Sequence, residues 1–360
     1  MRHPTRRVQY VLFLLCIIEC ASKGSQGAKY VKPKVPALFT FGDSIVDPGN
    51  NDFIATNVKS NHPPYGMNFN GNRSTGRCSN GKLSMDFLVE ALGIKETLPP
   101  YLDPDLTIHD LLTGVSFGSA GSGYDNLTAM AVDVIPMWKQ AELFRNYKAR
   151  VEEGVGSKNT SNLISQALYV AVAGTNDFVQ NYFYMPIRRK EFKVEQYGGL
   201  VIHGCKSFLE ELYKLGARKI AVFGLPPIGC LPVQKTILKE NKVKGCIKHC
   251  NKIAVSYNRK LNKTIEELGV RLPGIKLVYV DIYAIVLDLV NYPAKYGFEA
   301  ATRGCCGTGM SEIGLTCNSK TPVSCKDPAK YVFWDAVHLT ERAYHIANNI
   351  ALIKYYSKLL

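Results

Sequence analysis

No run of 18 or more apolar residues occurs in this 360-residue chain, so no segment reads as a membrane-spanning helix. Internal repeats, low-complexity tracts and Pro/Ser-rich linkers are also absent. That excludes collagen, coiled coil and disorder as whole-chain readings. The Gly-rich stretch 118–123 lacks the Lys-Ser/Thr of a P-loop and the G-x-G-x-x-G spacing of a dinucleotide site. Cys246-x3-Cys250 with His249 has some flavour of a metal site, but no second cysteine pair stands at finger spacing, so no metal is expected. Acidic residues are in short supply. Asp+Glu total 30 against 44 Lys+Arg, a formal charge of +14 that suits an anionic partner. Hydrophobic residues make up 46% and charged residues 21%, enough apolar surface for a sizeable core.

The N-terminus narrows the choice of partner. Arg2, Arg6 and Arg7 precede an apolar stretch from Val11 to Ile18, and small residues follow from Ala21 to Ala28. A basic region, a short apolar region and a small-residue exit predict a secretory leader of about residues 1–28. One domain over 29–360 follows it. Removing the leader takes out four basic residues and Glu19 and leaves +11. A secreted chain meets cell-wall polyanions or lipid surfaces rather than nucleic acid. Nine of the eleven cysteines lie beyond the leader, and in an oxidising compartment most should pair. The group Cys305, Cys306, Cys317 and Cys325 reads as a stapled surface loop. Sequons at Asn72, Asn126, Asn159 and Asn262 predict glycosylation at some of them.

Short β-rich runs at Val35–Phe41, Ala167–Ala173, Lys219–Phe223 and Lys276–Val280 read as buried strands. Amphipathic stretches at Leu83–Leu92, Pro136–Tyr147, Val201–Leu215 and Ile247–Leu268 alternate with them at helical spacing. This pattern predicts a parallel sheet covered on both faces, an α/β fold. The segment Asn61–Asn80, rich in Asn, Gly, Pro and Arg, reads as a long loop.

In such a sheet ligands collect at the carboxyl ends of the strands. Two motifs follow predicted strands, Phe41–Asn51 with Ser44 and Gly174-Thr175-Asn176-Asp177, and a third near the C-terminus, Tyr331–His338 with Asp335 three residues before the histidine, closes the set. These are the parts of an acyl-transfer site. A serine hydroxyl needs an adjacent base to act as a nucleophile. Histidine suits that task, and a carboxylate on the same helical or 3₁₀ turn can hold the imidazole in one tautomer. The oxyanion needs preorganised donors. Asn176 offers a side-chain N–H, and backbone N–H groups at Ser44 and at a Gly of the loop 114–123 can supply the rest. Ser44 is also expected to open a helix whose positive end favours the anion. Each motif alone also fits a plain turn or N-cap; the combination carries the reading.

The blocks Phe41–Asn51, Gly121–Asp125, Gly174–Asp177, Leu225–Pro232, Cys305–Gly309 and Tyr331–His338, in that order, resemble the plant GDSL esterase/lipase family of the SGNH hydrolases, near its secreted extracellular-lipase branch. The resemblance implies a flavodoxin-like, three-layer α/β/α fold with a mostly parallel sheet. It implies Ser44 as nucleophile, Gly121 and Asn176 as oxyanion donors, Asp335 and His338 as the rest of the triad, and no cofactor. Four positions depart from the family pattern: Ile45 for Leu, Leu339 for Pro, Gly118 for Ala, and Cys78 for an aromatic. Cys78 is the expected unpaired thiol.

The expected activity is that of a secreted serine esterase or lipase in the cell wall or apoplast. Its substrates would be ester-bearing lipids or acylated wall polymers, with an anionic wall polymer as a further partner. An acyltransferase with the same triad and a non-catalytic wall-binding protein are the alternatives. Phe53, Tyr65, Phe69, Tyr182, Phe183 and Tyr184 are candidates to line an acyl groove.

Overall fold

The computed structural model describes residues 35–360; the expected leader and its Cys16 and Cys20 lie outside the described residues. Four strands form one parallel sheet in the order β1 (Leu38–Gly42), β2 (Leu168–Val172), β3 (Lys219–Phe223) and β4 (Lys276–Val280). All four lie on the predicted runs; β1, β2 and β3 are the buried strands expected, whereas β4, at the edge of the sheet and closed by Asp281, is only half-buried. On the free side of β1, residues 115–119 run parallel to it. Thr40 N–H donates to the Val115 carbonyl, and Phe117 and Ser119 N–H donate to those of Thr40 and Gly42. With that irregular edge counted second in the chain, the sheet has the flavodoxin-like 2-1-3-4-5 order, and its direction reverses beside β1.

Side chains alternate across the sheet. Phe39, Phe41, Tyr169, Ala171, Ile220 and Val222 enter one core. Leu38, Leu168, Val170, Ala221 and Phe223 enter the other. Helices Met137–Val155, Val194–Lys214 and Lys248–Arg271 cover the first face; Ser84–Ala91 and Glu341–Lys354 cover the second. This is the three-layer α/β/α arrangement. The first core is largely aromatic, with Phe39, Phe41, Phe117, Phe144, Tyr147 and Tyr169 in mutual ring contact. Helix Met137–Val155 outruns its predicted end, and Val194–Lys214 begins earlier than predicted, through Gly198 and Gly199. The C-terminal helix, capped by the Thr340 hydroxyl on Ala343 N–H, was not among the predicted elements.

Among the described residues three disulfides form: Cys230–Cys246, Cys305–Cys325 and Cys306–Cys317. The C-terminal cysteine group is thus a doubly stapled loop. Cys78 is a free thiol, as expected, but Cys205 and Cys250 are free as well. All three are buried, Cys78 on the wall of a cleft.

The long loop 61–80 is pinned from within. The Arg77 guanidinium makes a two-pronged bond to the buried Asp86 carboxylate at 2.8 Å per prong and also donates to the carbonyls of Pro48 and Leu98. Removing one partner of such a pair strands a buried charge, which typically costs about 3–5 kcal/mol. Arg77→Met should therefore lower unfolding free energy by about that amount in urea titration, and adding Asp86→Asn should recover part of it.

Candidate active site

β1 ends at Gly42, whose φ of +140° and whose contact with the Val172 carbonyl leave no room for a side chain. The chain then turns tightly, Val46 N–H donating to the Asp43 carbonyl and Ile45 N–H to the Asp43 carboxyl. No helix follows Ser44, contrary to expectation: the Asp43 side chain and the Pro48-Gly49 bend fold this segment into a compact loop instead. The Ser44 hydroxyl lies 2.8 Å from Nε2 of His338, 294 residues away in sequence.

Behind the imidazole, Nδ1 is 2.7 Å from Oδ2 of Asp335. An ionised carboxylate can only accept, so Nδ1 carries the proton and Nε2 is left to accept from Ser44. Asp335 and His338 share a side-chain-closed turn rather than a helix. Asp335 Oδ1 accepts from the N–H groups of Val337 and His338, which sets their spacing of three. The second oxygen also accepts from the Tyr65 hydroxyl at 2.8 Å. Burial pushes the Asp335 carboxyl up, but the neighbouring His338 and the N–H donors outweigh it and hold the group below its ordinary range.

Gly121 and Asn176 border the same cleft as Ser44 and His338, a cavity of about 820 Å³. Gly121 follows the edge segment 115–119 and Asn176 follows β2, so Ser44, Gly121 and Asn176 leave three neighbouring strand ends. Gly121 sits at φ +88°. Neither its N–H nor that of Ser44 has an acceptor among the described residues. The Asn176 amide gives one hydrogen to the Ser122 carbonyl at 2.9 Å and keeps a second. Three N–H donors therefore border the serine.

Two buried carboxyls stitch these loops together. Asp47 accepts from Gly49 and Asn50 N–H on its own loop and from Ala120 N–H on the facing one. Asp177 accepts from the N–H groups of Tyr124 and Asp125 and from the Thr128 hydroxyl. Asn50 and Asn51 add amide bonds to the carbonyls of Ser116, Gly118 and Ala120. The motifs containing these residues were legible in the sequence, but their partners on the facing loops lie 49 to 73 positions away and carried no signal. Tyr65 was missed as a support of Asp335 for the same reason.

Of the six aromatics expected to line a groove, only Phe183 and Tyr184 border the cleft. Tyr65 stands behind Asp335, Phe69 packs under Arg77, Tyr182 bonds the Phe192 carbonyl, and Phe53 faces solvent. Cys246 is consumed by its disulfide, which removes the alternative of a metal site built on it.

Residues 38–350 match the family described as GDSL-like Lipase/Acylhydrolase. GDSL esterase/lipase At2g42990 of Arabidopsis thaliana is 42% identical over 93% of this chain and 94% of its own length. GDSL esterase/lipase At5g45960, also of Arabidopsis thaliana, is 45% identical over 87% and 84%. A solved acetylxylan esterase from Geobacillus stearothermophilus aligns at 15% identity and a TM-score of 0.38, covering 89% of this chain and 95% of that one.

Burial raises the carboxyls of Asp43 to about 7, Asp47 to about 6 and Asp177 to about 7, against the N–H donors that oppose the rise. The folded state therefore holds protons that the unfolded chain would release near its ordinary carboxylate value of about 3.9. Stability contributed this way is present on the acid side and is lost as pH climbs from about 4 to about 7. Asp335 has the opposite sign, its contribution being lost as pH falls. Asp177→Asn should flatten the decline of the thermal midpoint between about pH 4 and about pH 7 relative to the native chain.

Proposed function

We infer the reaction course from one premise: the chain belongs to the GDSL-like lipase/acylhydrolase family and is a carboxylic ester hydrolase. Ser44 attacks the ester carbonyl while His338 Nε2 takes its proton. Negative charge moves to the carbonyl oxygen, which the N–H groups of Ser44, Gly121 and Asn176 receive. His338 returns the proton to the departing alcohol, and the acyl group stays on Ser44 as an ester. Water then attacks the acyl carbon as the same nitrogen takes its proton, the bond to Ser44 Oγ breaks, and His338 returns the proton to that oxygen as the acid leaves. Asp335 keeps the imidazole in the tautomer this requires. The observation that carries the reading is the 2.8 Å approach of Ser44 to His338 beside three N–H donors.

The same reading puts the enzyme outside the cell, behind a leader of about residues 1–28, with the catalytic domain over 29–360. Three disulfides among the described residues and a charge of +11 without the leader support an oxidising compartment and an anionic wall polymer as partner. Among the described residues no helix is long and apolar enough to cross a membrane. Esters of lipids and of acylated wall polymers are the substrate classes.

Ser44→Ala should lower kcat/KM on p-nitrophenyl butyrate by at least about 10³-fold with an unchanged thermal midpoint, and His338→Ala should lower it as much while also lowering the midpoint, because Asp335 loses a buried partner. A fluorophosphonate should label native Ser44; full activity in either variant overturns the assignment.

Tyr65 acts through Asp335. Tyr65→Phe should cost about tenfold in kcat in the native background and almost nothing beside Asp335→Asn. Equal losses in both backgrounds would mean that the hydroxyl acts by another route.

A further inference from the structure

Two cavities meet at Ser44. Both are bordered by Ser44, Asn176 and Val337. The larger, about 820 Å³, also carries His338 and Gly121 and opens between Lys59, Arg189 and the apolar side chains of Val58, Val132 and Ile313. The smaller, about 70 Å³, has neither His338 nor Gly121 on its wall. It reaches inward over the carboxyl ends of β2 and β3, between Val172, Phe223, Leu231, Val286 and Leu339. All five of these side chains are buried in the core clusters or packed within them, so this wall is fixed by the fold and not by a loose loop.

The reaction orients a substrate between the two spaces. In the tetrahedral adduct the leaving alcohol must stand beside the imidazole that protonates it. The alcohol therefore belongs to the wide cavity, which His338 borders. The acyl carbon's remaining substituent points away from that side, where the small apolar cavity lies. We propose that this small cavity is the acyl pocket, and that the enzyme takes short acyl groups, from acetyl to butyryl, carried on a large alcohol moiety. The proposal rests on the acyl-enzyme reading above and names the substrate class of the same site.

Volume sets the limit. A dry protein cavity of about 150 Å³ accommodates benzene, about 25 Å³ per carbon. A space of about 70 Å³ then holds about three carbons beyond the carbonyl, which is a butyryl chain. A longer chain would have to displace core side chains, and densely packed walls resist that. The wide cavity holds more than ten times that volume and sets no comparable bound on the alcohol.

The test is a chain-length series of p-nitrophenyl esters from acetate to octanoate on the full folded chain. Acetate, propionate and butyrate should be turned over comparably, and kcat/KM should drop at least about tenfold at hexanoate and again at octanoate. Naphthyl acetate, with a bulkier alcohol, should stay within about fivefold of p-nitrophenyl acetate. Val286→Ala should raise hexanoate relative to acetate by about fivefold, and Val286→Leu should lower butyrate relative to acetate. An octanoate rate equal to or above that of butyrate in the native enzyme overturns the proposal, as does an unmoved profile in folded Val286 variants. The native series decides alone if neither variant folds. Failure of the acyl-enzyme reading looks different: no ester in the series is turned over, and Ser44 is not labelled by a fluorophosphonate.

Discussion

One hydrogen bond, from the Ser44 hydroxyl to Nε2 of His338, joins residues that the chain separates by nearly its whole length. Everything around it serves to hold its two ends still. On one side, β1 and the Gly42 bend deliver the hydroxyl. On the other, Asp335 fixes the ring by receiving four donors: two backbone N–H groups, the imidazole and a tyrosine. A carboxylate so fully engaged has no alternative arrangement of comparable energy, and the ring it holds inherits that certainty.

The loops that bear the chemistry are short of regular structure and rich in cross-links. Asp47, Asn50 and Asn51 tie the serine loop to the one carrying Gly121. Asp177 ties that second loop to the turn carrying Asn176. These are buried polar contacts in a low-dielectric setting, where a satisfied network is stiff and a half-satisfied one is costly. Rigid elements lie beneath them: each loop leaves a neighbouring strand end, close to the point where the order of the sheet reverses. The Arg77–Asp86 pair extends the same device outward and draws the long loop 61–80 against the serine loop through the Pro48 carbonyl.

Much of this is legible in the sequence. Strands were visible because each is a run of about five apolar, β-prone residues closed by a breaker. Ser44 and Asn176 stood out because they follow such runs, where a parallel sheet gathers its chemistry, and Asp335 and His338 because their spacing of three fits one turn. What the chain could not announce was pairing at a distance. Tyr65 looked like one more loop aromatic, since its partner is 270 positions away. Asp177 looked like the end of a turn. The helix expected at Ser44 failed because a local competitor won: the Asp43 carboxyl captures the Ile45 N–H and closes a turn where the first helical bond would have formed. The C-terminal helix escaped because Glu341–Lys354 carries an unremarkable mixture of Ala, Asn and Ile that is read as helical only once its buried face is known.

The missing helix at the nucleophile has a further meaning. A helix terminus acts on an anion over several ångströms as a diffuse field, and dissolved ions weaken such fields. On the proposed course the anion is received one bond at a time by the N–H groups of Ser44, Gly121 and Asn176. Electrostatic catalysis of that kind depends on where three loops hold three N–H groups, so a shift in any one loop is felt by the reaction itself.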